Sequence, residues 1–465
     1  MKNLLSLENI DFEPSSYVDN QGFVFYYDDK VLRCIYSDAK TLFQGLLKEN
    51  ILEDWSQRFN LVPTRSSQYR IAGKEDCLIV EHDRIWPTSY CTEWCPSMLY
   101  DAAHLTINFA LELADHELIL QDAYPWNILF CGSEPVFIDL TSIAPVDPVL
   151  LWPAHEQFEA FFIRPIILSE LGKGKVARAM LRDYINGISL EEYYKFLGPI
   201  HRLRHPGLIL SVLINKRLQR SAVLKDRLRK MSEKIIRTVP TDVRKRFLKK
   251  LSRRLNIFKK TKSADAWTRY YKNIDKKFDK AVKRETVSNI IRRIKPETLL
   301  DIGCNTGIFS IEAAQCGAKV VSIDTSESCV EELYCTASQK KLHITPLIAD
   351  IVNPTPAYGF LGRQFPGLLD RIGCEMVLFL GMMHHAHVTG RQSIMRISEL
   401  LNIVTQKYLL FEYIDIKDAN MPHLPQRRKI EYSIETIKKA LEKYFENIED
   451  YPSDRQTRRL LLCTK

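Results

Sequence analysis

The last third of the chain alternates between short apolar runs and stretches whose apolar positions recur every three or four residues. "TLLDIGC" (298–304) has the unbroken apolar character of a buried strand, and "IFSIEAAQCG" (308–317) the spacing of a helix that Gly317 stops. "AKVVSID" (318–324) and "SCVEELYCTASQKK" (328–341) repeat the pair. Three further runs, "ITPLIAD", "CEMVLFLGMM" and "KYLLFEYI", are apolar and β-branched or aromatic enough for central strands. Strands separated by helices connect by right-handed crossovers, so the region predicts an α/β fold with a parallel, doubly wound sheet. Upstream, "GFVFYYDDKVLRCIYS" (22–37) reads as a hairpin and "SMLYDAAHLTINFALELADHEL" (97–118) as one long helix.

Between these regions the pattern is helical but strongly basic. From Arg202 to Ser263 there are 21 Lys and Arg against Asp226, Glu233 and Asp242, an excess of 18. The whole chain has a net charge of +9, so the remainder carries −9. "VLKDRLRKMSEKII" and "VRKRFLKKLSRRLNIF", separated by Pro240, have the spacing of basic amphipathic helices. They divide the chain into residues 1–200, a basic helical linker over 201–264, and residues 265–465. Two readings of the linker stay open: a solvated connector, or a surface that docks on an anionic membrane, glycan or nucleic acid. Only Phe247 and Phe258 fall among the basic residues and no groove-reading motif is present, so no specific nucleic-acid partner is expected.

Composition changes little in this picture. A chain of 465 residues, 45% apolar and 26% charged, suits an ordinary globular protein of two or three domains. "MKNLLSLENIDFEP" lacks the basic head and apolar core of a secretory signal, and the run "GLILSVLI" is well short of the roughly 20 residues of a membrane span. A cytoplasmic location is therefore expected, peripheral at the inner membrane if the basic linker docks there. Of eleven cysteines only Cys91 and Cys95 lie close together, which predicts reduced thiols and no metal site.

Chemistry enters with "LLDIGCNTGIFS" (299–310). Gly303 and Gly307 bracket a turn at the carboxyl end of a predicted strand, where ligands of doubly wound sheets sit. A dinucleotide fingerprint needs G-x-G-x-x-G, but Asn305 fills its middle position, and Asp301 before the turn would repel a pyrophosphate. A cationic, phosphate-free nucleoside fits better. S-adenosylmethionine, with its ammonium and sulfonium, is such a ligand, and glycines would let the backbone approach it closely. Asp324 ends the second strand, placed to accept both ribose hydroxyls, and Asp350 ends the third, beside Ile351, placed to meet the adenine amino edge.

These residues, with "GAKVVSID", "NPTPAYGF" and "FLGMMHHAH", resemble the class I S-adenosylmethionine-dependent methyltransferases, in particular the branch of the nodulation methyltransferases. The likeness covers about 200 residues and implies a Rossmann-like methyltransferase sheet. It places Asp301, Gly303, Cys304, Asn305 and Gly307 on the methionine and ribose side, Asp324 on the ribose, and Asp350 with Ile351 on the adenine. It also implies an aromatic lid from Trp267, Tyr270 and Tyr271. Methyl transfer needs alignment and exclusion of water, and an alcohol acceptor also needs a base near neutrality. His384 and His385 follow the fourth strand and are candidates for that base, as is Glu412 at the end of the fifth; either histidine could instead shape the pocket.

The N-terminal half holds a second constellation in "LILQDAYPWNILFCGSEPVFIDLTSI". Asp122 and Asn127 are five apart, and Asp139 closes a hairpin turned by "GSEP". That order resembles the catalytic aspartate, metal asparagine and metal aspartate of kinases and aminoglycoside phosphotransferases, implying an α+β kinase-like domain with ATP and magnesium as ligands. Departures are plain: Leu120-Gln121-Asp122 lacks the usual His and Arg, Leu140-Thr141 replaces Phe-Gly, and no glycine-rich phosphate loop lies upstream. Arg33 or Lys30 would have to serve as the phosphate lysine. Phosphotransfer, nucleotide binding without transfer, and a scaffold all remain open. The reading that joins both halves is a methyltransferase acting on a saccharide or polysaccharide hydroxyl. Its rivals are a bifunctional kinase–methyltransferase modifying a glycan end and a non-catalytic, cofactor-binding assembly factor.

Overall fold

The computed structural model describes residues 3–16, 21–199, 202, 212, 226, 238–256, 282–418 and 432–465. Near the amino end β1 (Asp11–Phe12), β2 (Gly22–Tyr27) and β3 (Lys30–Ile35) precede helices α1 (Ser37–Lys48) and α2 (Ile51–Phe59) and strands β4 (Thr64–Ser66) and β5 (Leu78–His82). They form an antiparallel sheet in the order β1-β2-β3-β5-β4. The expected hairpin is β2–β3, turned at Asp28, whose φ of +49° suits a short polar side chain. The long helix is α3 (Pro96–Asp115), with proline in its first turn and most of its residues buried. Beyond it β6 (Leu118–Leu120) pairs with β9 (Ile143–Pro145), and β7 (Ile128–Cys131) with β8 (Glu134–Phe137) around Gly132.

The basic region is not a free connector where it is described. Residues 223–236 lie, except for Asp226, outside the described residues, but α4 (Thr241–Leu255) lies on α3 and buries Leu248, Leu251 and Leu255. Its Arg244 is 2% exposed and donates to the carbonyls of Asp147, Leu150 and Leu151 at 2.9–3.2 Å. Lys245 pairs with Asp115 and Arg254 with Glu159. The apolar stripe thus faces protein, and Arg246, Lys249, Lys250 and Arg253 point outward.

The carboxyl half begins with α5 (Val282–Ile294), then β10 (Thr298–Ile302), α6 (Ile308–Gln315), β11 (Lys319–Asp324), α7 (Glu327–Lys340), β12 (Ile344–Ile348) and β13 (Cys374–Phe379). α8 (Ile394–Val404), β14 (Thr405–Ile414), α9 (Ile434–Leu441), β15 (Asn447–Pro452) and β16 (Arg458–Thr464) complete it. The sheet order is β12-β11-β10-β13-β14-β16-β15. Strands β10 to β14 are parallel as expected, but β16 enters antiparallel between β14 and β15, so the sheet is mixed rather than wholly parallel.

The two halves share one apolar core that runs from Trp55 through Trp94 and Phe130 to Tyr334, Val321 and Leu300. Polar contacts reinforce it: Tyr334 donates to Asp101 (2.7 Å), the Ser97 N–H to Glu331 (3.1 Å) and Thr345 to the Gly132 carbonyl (3.0 Å). No helix among the described residues is long and apolar enough to cross a membrane.

Candidate active site

Strand β10 ends in a turn with three left-handed residues in five: Gly303 (φ +75°), Asn305 (φ +51°) and Gly307 (φ +80°). A Cβ at Gly303 would strike the Met382 sulfur, and one at Gly307 the Leu333 side chain on α7. Glycine is thus demanded here by the chain's own packing, and the close approach of a ligand is not what these positions reveal. Asn305 stays in the left-handed region with its Oδ1 accepting the Thr306 N–H at 2.7 Å.

The three strand-end acids differ in setting. Asp301 is 4% exposed; Ser310 Oγ donates to its Oδ2 at 2.6 Å, and Ser322 Oγ donates to Ser310 at 2.9 Å. Burial pushes its carboxyl up to about 6, against the Ser310 hydrogen bond, and the neighbouring Asp324 carboxylate adds to the rise. Asp324 is half-buried at the tip of β11, its Oδ2 accepting the Asn305 N–H (2.9 Å) and its Oδ1 the Ser326 N–H (2.8 Å). Asp350 is exposed and takes the Val352 N–H on Oδ1 at 2.9 Å, beside the buried Ile351. Cys304 is buried, and burial holds its thiol well above the ordinary range, with the Asp324 and Asp301 charges adding to that, so it is neutral.

Across the strand tips, His384 and His385 follow β13 with ring centroids 4.2 Å apart. His384 Nδ1 is buried and has no hydrogen-bond partner among the described residues. Burial, then the His385, Arg458 and Lys283 charges, lower its pKa to about 3, so the ring is neutral. His385 is also lowered by burial, with the Asp324 charge opposing that shift. Glu412 is 1% exposed and engaged: Lys283 Nζ donates to it at 2.6 Å and Ser453 Oγ at 3.1 Å. Beside it, buried Asp418 accepts Arg458 through both oxygens at 2.8 and 3.0 Å. The proposed lid residues Trp267, Tyr270 and Tyr271 lie outside the described residues.

The second constellation surrounds the turn after β8. Asp122 Oδ1 accepts Gln157 Nε2 at 3.2 Å, and the Asp122 N–H donates to Ser142. The Asn127 carbonyl accepts the Ile138 N–H at 2.8 Å, which holds it beside Asp139. Asp139 Oδ1 accepts Arg33 Nη1 at 3.0 Å and Thr141 Oγ1 at 3.1 Å, and Arg33 Nη2 donates to the Ile138 carbonyl. Lys30 is instead paired with Glu81. Trp126, between Asp122 and Asn127, donates to Tyr358 of the other half at 2.9 Å and packs on Phe365.

Residues 230–444 match a family described as "Methyltransferase domain". The carboxyl half is a methyltransferase domain. Nodulation protein NoeA of Rhizobium meliloti (strain 1021) is 25% identical over 439 residues, covering 92% of this chain and 90% of that protein. Among solved structures, the bifunctional kinase-methyltransferase WbdD is 18% identical over 39% of this chain and 38% of its own, with a TM-score of 0.28. Magnesium protoporphyrin IX methyltransferase (ChlM) from Synechocystis PCC 6803, solved with bound SAH, is 16% identical over 47% of this chain and 94% of its own, with a TM-score of 0.29. The methyltransferase assignment rests on the family match, and the enzyme is of the S-adenosylmethionine-dependent kind.

The methyltransferase domain brings most of the predicted residues to one end of its sheet: Asp324 and Asp350 at neighbouring strand tips, the two histidines after β13, and Glu412 on β14. Asp301 is there too, but turned inward onto α6. Lys283, Asp418 and Arg458 escaped sequence reading. Lys283 pairs with Glu412 across 129 positions, and nothing local in "VKRE" announces such a partner. The residues present suit an adenosyl cation: carboxylates stand at the strand tips, and the nearby Lys283 and Arg458 are paired with Glu412 and Asp418.

Proposed function

We propose that the protein transfers a methyl group to a saccharide or polysaccharide hydroxyl, with His384 as the general base and the amino half as a scaffold that presents the acceptor. Asp324, Asp350 and Ile351 would hold the nucleoside of S-adenosylmethionine, and Asp301 and Asp324 would favour its positive charge. The bound cofactor would supply an activated methyl group. His384 Nδ1 carries the proposal: a buried, neutral ring nitrogen without a hydrogen-bond partner among the described residues can accept the hydroxyl proton as the new oxygen–carbon bond forms, though burial leaves it a weaker base than the near-neutral group an alcohol would ideally meet. Amine or thiol acceptors have less need of such a group, because they attack without first shedding a tightly held proton.

The antiparallel sheet, long helix α3 and β7–β8 hairpin of the amino half support reading it as kinase-like in shape. Its carboxylates do not fit a magnesium nucleotide, because the Arg33 guanidinium already neutralises Asp139 in the place of a metal ion. We therefore read this half as kinase-like in shape and without phosphotransfer. The outward basic face of α4 is the part we assign to an anionic surface such as the inner leaflet of a membrane. Incubation with methyl-labelled S-adenosylmethionine and fractionated cell extract tests the reaction. Label in a saccharide fraction that disappears with His384→Ala supports it; label confined to protein or nucleic acid overturns the acceptor assignment.

A further inference from the structure

The crossover from β12 to β13 is fastened to the amino half along its length. At its start, the tip of β12 is gripped from both sides: the Ala349 N–H donates inward to the Asp324 carbonyl at 2.9 Å, and the Ile348 N–H donates outward to the Glu93 carbonyl at 2.7 Å. In its middle, Trp126 Nε1 donates to Tyr358 Oη. At its end, Arg371 reaches back to the same Glu93, with Nη2 on Oε1 at 2.6 Å and Nη1 on Oε2 at 3.2 Å. Arg371 is otherwise saturated: Nη1 also donates to the Thr88 carbonyl, Nε to those of Pro366 and Gly367, and Tyr90 lies 4.4 Å under the guanidinium. Both side chains are almost wholly buried, at 0% and 3% exposed.

Glu93 thus touches the crossover twice, by its carbonyl two residues before Asp350 and by its carboxylate at the far end. A bidentate guanidinium–carboxylate pair fixes geometry as well as charge. Glu93 is thus tied at three points, its carboxylate to Arg371, its N–H to the Tyr90 carbonyl and its carbonyl to the N–H of Ile348. Burying an ion pair adds little to stability compared with an apolar pair of the same shape, so stability alone does not account for Glu93 and Arg371.

The geometry points to Glu93, a residue of the amino half, as a positioning residue for the adenine end of the methyltransferase cleft, acting through Arg371 and the tip of β12 to set where Asp350 stands. This rests on the reading of Asp350 as the partner of the adenine amino group. On it, the amino half takes part in cofactor recognition without touching the cofactor.

The readout is discrimination rather than affinity. Calorimetry on the full chain compares S-adenosylhomocysteine with its inosine counterpart, which lacks the amino group. The wild-type protein should prefer the adenine form on the order of tenfold or more, the worth of one hydrogen bond to a charged group. In Glu93→Gln, and independently in Arg371→Lys, that preference should shrink towards unity, because Asp350 is no longer held in register. Thr345→Val, which removes another contact between the halves farther back on β12, should keep the wild-type ratio. A general loss of fold weakens both ligands alike and leaves the ratio unmoved. Either variant that folds with the wild-type ratio overturns the proposal, however far its melting temperature falls. A wild-type protein indifferent to the amino group overturns it as well, by removing the role of Asp350. A wild-type protein that binds neither nucleoside overturns the cofactor reading itself, a different and recognisable failure.

Discussion

Replacing Asp301 by asparagine separates what the cleft needs from what the fold tolerates. The carboxyl is buried and its pKa stands near 6 rather than 3.8, chiefly because burial disfavours the charged form. Between those two values the folded chain binds more protons than the unfolded one, so stability falls as pH rises through the window. At about 1.36 kcal/mol per pKa unit, the ionised acid costs the fold ~3 kcal/mol above pH 7, roughly half of that near pH 5, and almost nothing below 3.8. The amide keeps the hydrogen bonding: its oxygen can take the Ser310 N–H while its NH2 donates to Ser310 Oγ, which then donates on to Ser322. Asp301→Asn should therefore stabilise the protein without ligand at pH 8 by about 2–3 kcal/mol and by about half as much at pH 5, read from urea midpoints at constant slope. The same variant should bind S-adenosylmethionine more weakly, since the cation loses a carboxylate. In the wild type, cofactor affinity should drop as pH falls through about 6, and in the variant that drop should vanish. An equal effect on stability at both pH values, or a penalty that grows with pH, refutes the argument that burial of charge sets this residue.

Asp324→Ala should weaken cofactor binding by ~1–3 kcal/mol, tenfold to a hundredfold in Kd, through lost charged hydrogen bonds; unchanged calorimetric affinity contradicts the ribose assignment. His384→Ala should lower kcat on the order of a hundredfold with little change in cofactor Kd, and kcat/KM for the acceptor should show no acid limb from this group between pH 5 and 8, because the ring is neutral down to about 3. A limb near 6.5 abolished by that substitution would assign the base but refute its buried setting. Arg33→Met leaves Asp139 without its cation and should destabilise the amino half by about 2–3 kcal/mol, a buried-pair loss reduced for the partial exposure of Asp139, with Asp139→Asn in the same chain restoring most of it. ATP with magnesium should leave the melting temperature of the wild type unchanged; a rise of several degrees lost in Asp139→Ala restores the kinase reading.

The alternation of strand and helix in the carboxyl half was legible because each element buries a face whose period survives in the sequence. "TLLDIGC", "AKVVSID" and "KYLLFEYI" all became strands of the sheet, and α3 lies where its apolar spacing put it. The closing hairpin of β15 and β16 was not foreseen. "NIEDYP" is mostly exposed and polar, and its direction in the sheet is set by pairing with β16, itself antiparallel to β14, rather than by anything local. The packing of α4 on α3 was hidden for a related reason: amphipathic spacing shows that a face is buried, not what covers it. The acids at the strand tips could be named from their positions, but not that Asp301 turns inward to Ser310 while Asp324 is held by two backbone N–H groups. Nor could Glu412 be known to face Lys283, since charge pairing over such a span of chain leaves no periodic trace.

The outer flank of β12 has a bearing on how this protein can be cut. Its Ile348 N–H finds the Glu93 carbonyl, and its Thr345 hydroxyl the Gly132 carbonyl, rather than a further strand. Expressed from residue 265 onward, the catalytic half would carry a raw border of unsatisfied amides and carbonyls next to a stripped apolar wall around Tyr334, the kind of rim on which chains template one another. Aggregation of such a fragment would then speak of a missing neighbour and not of a faulty enzyme.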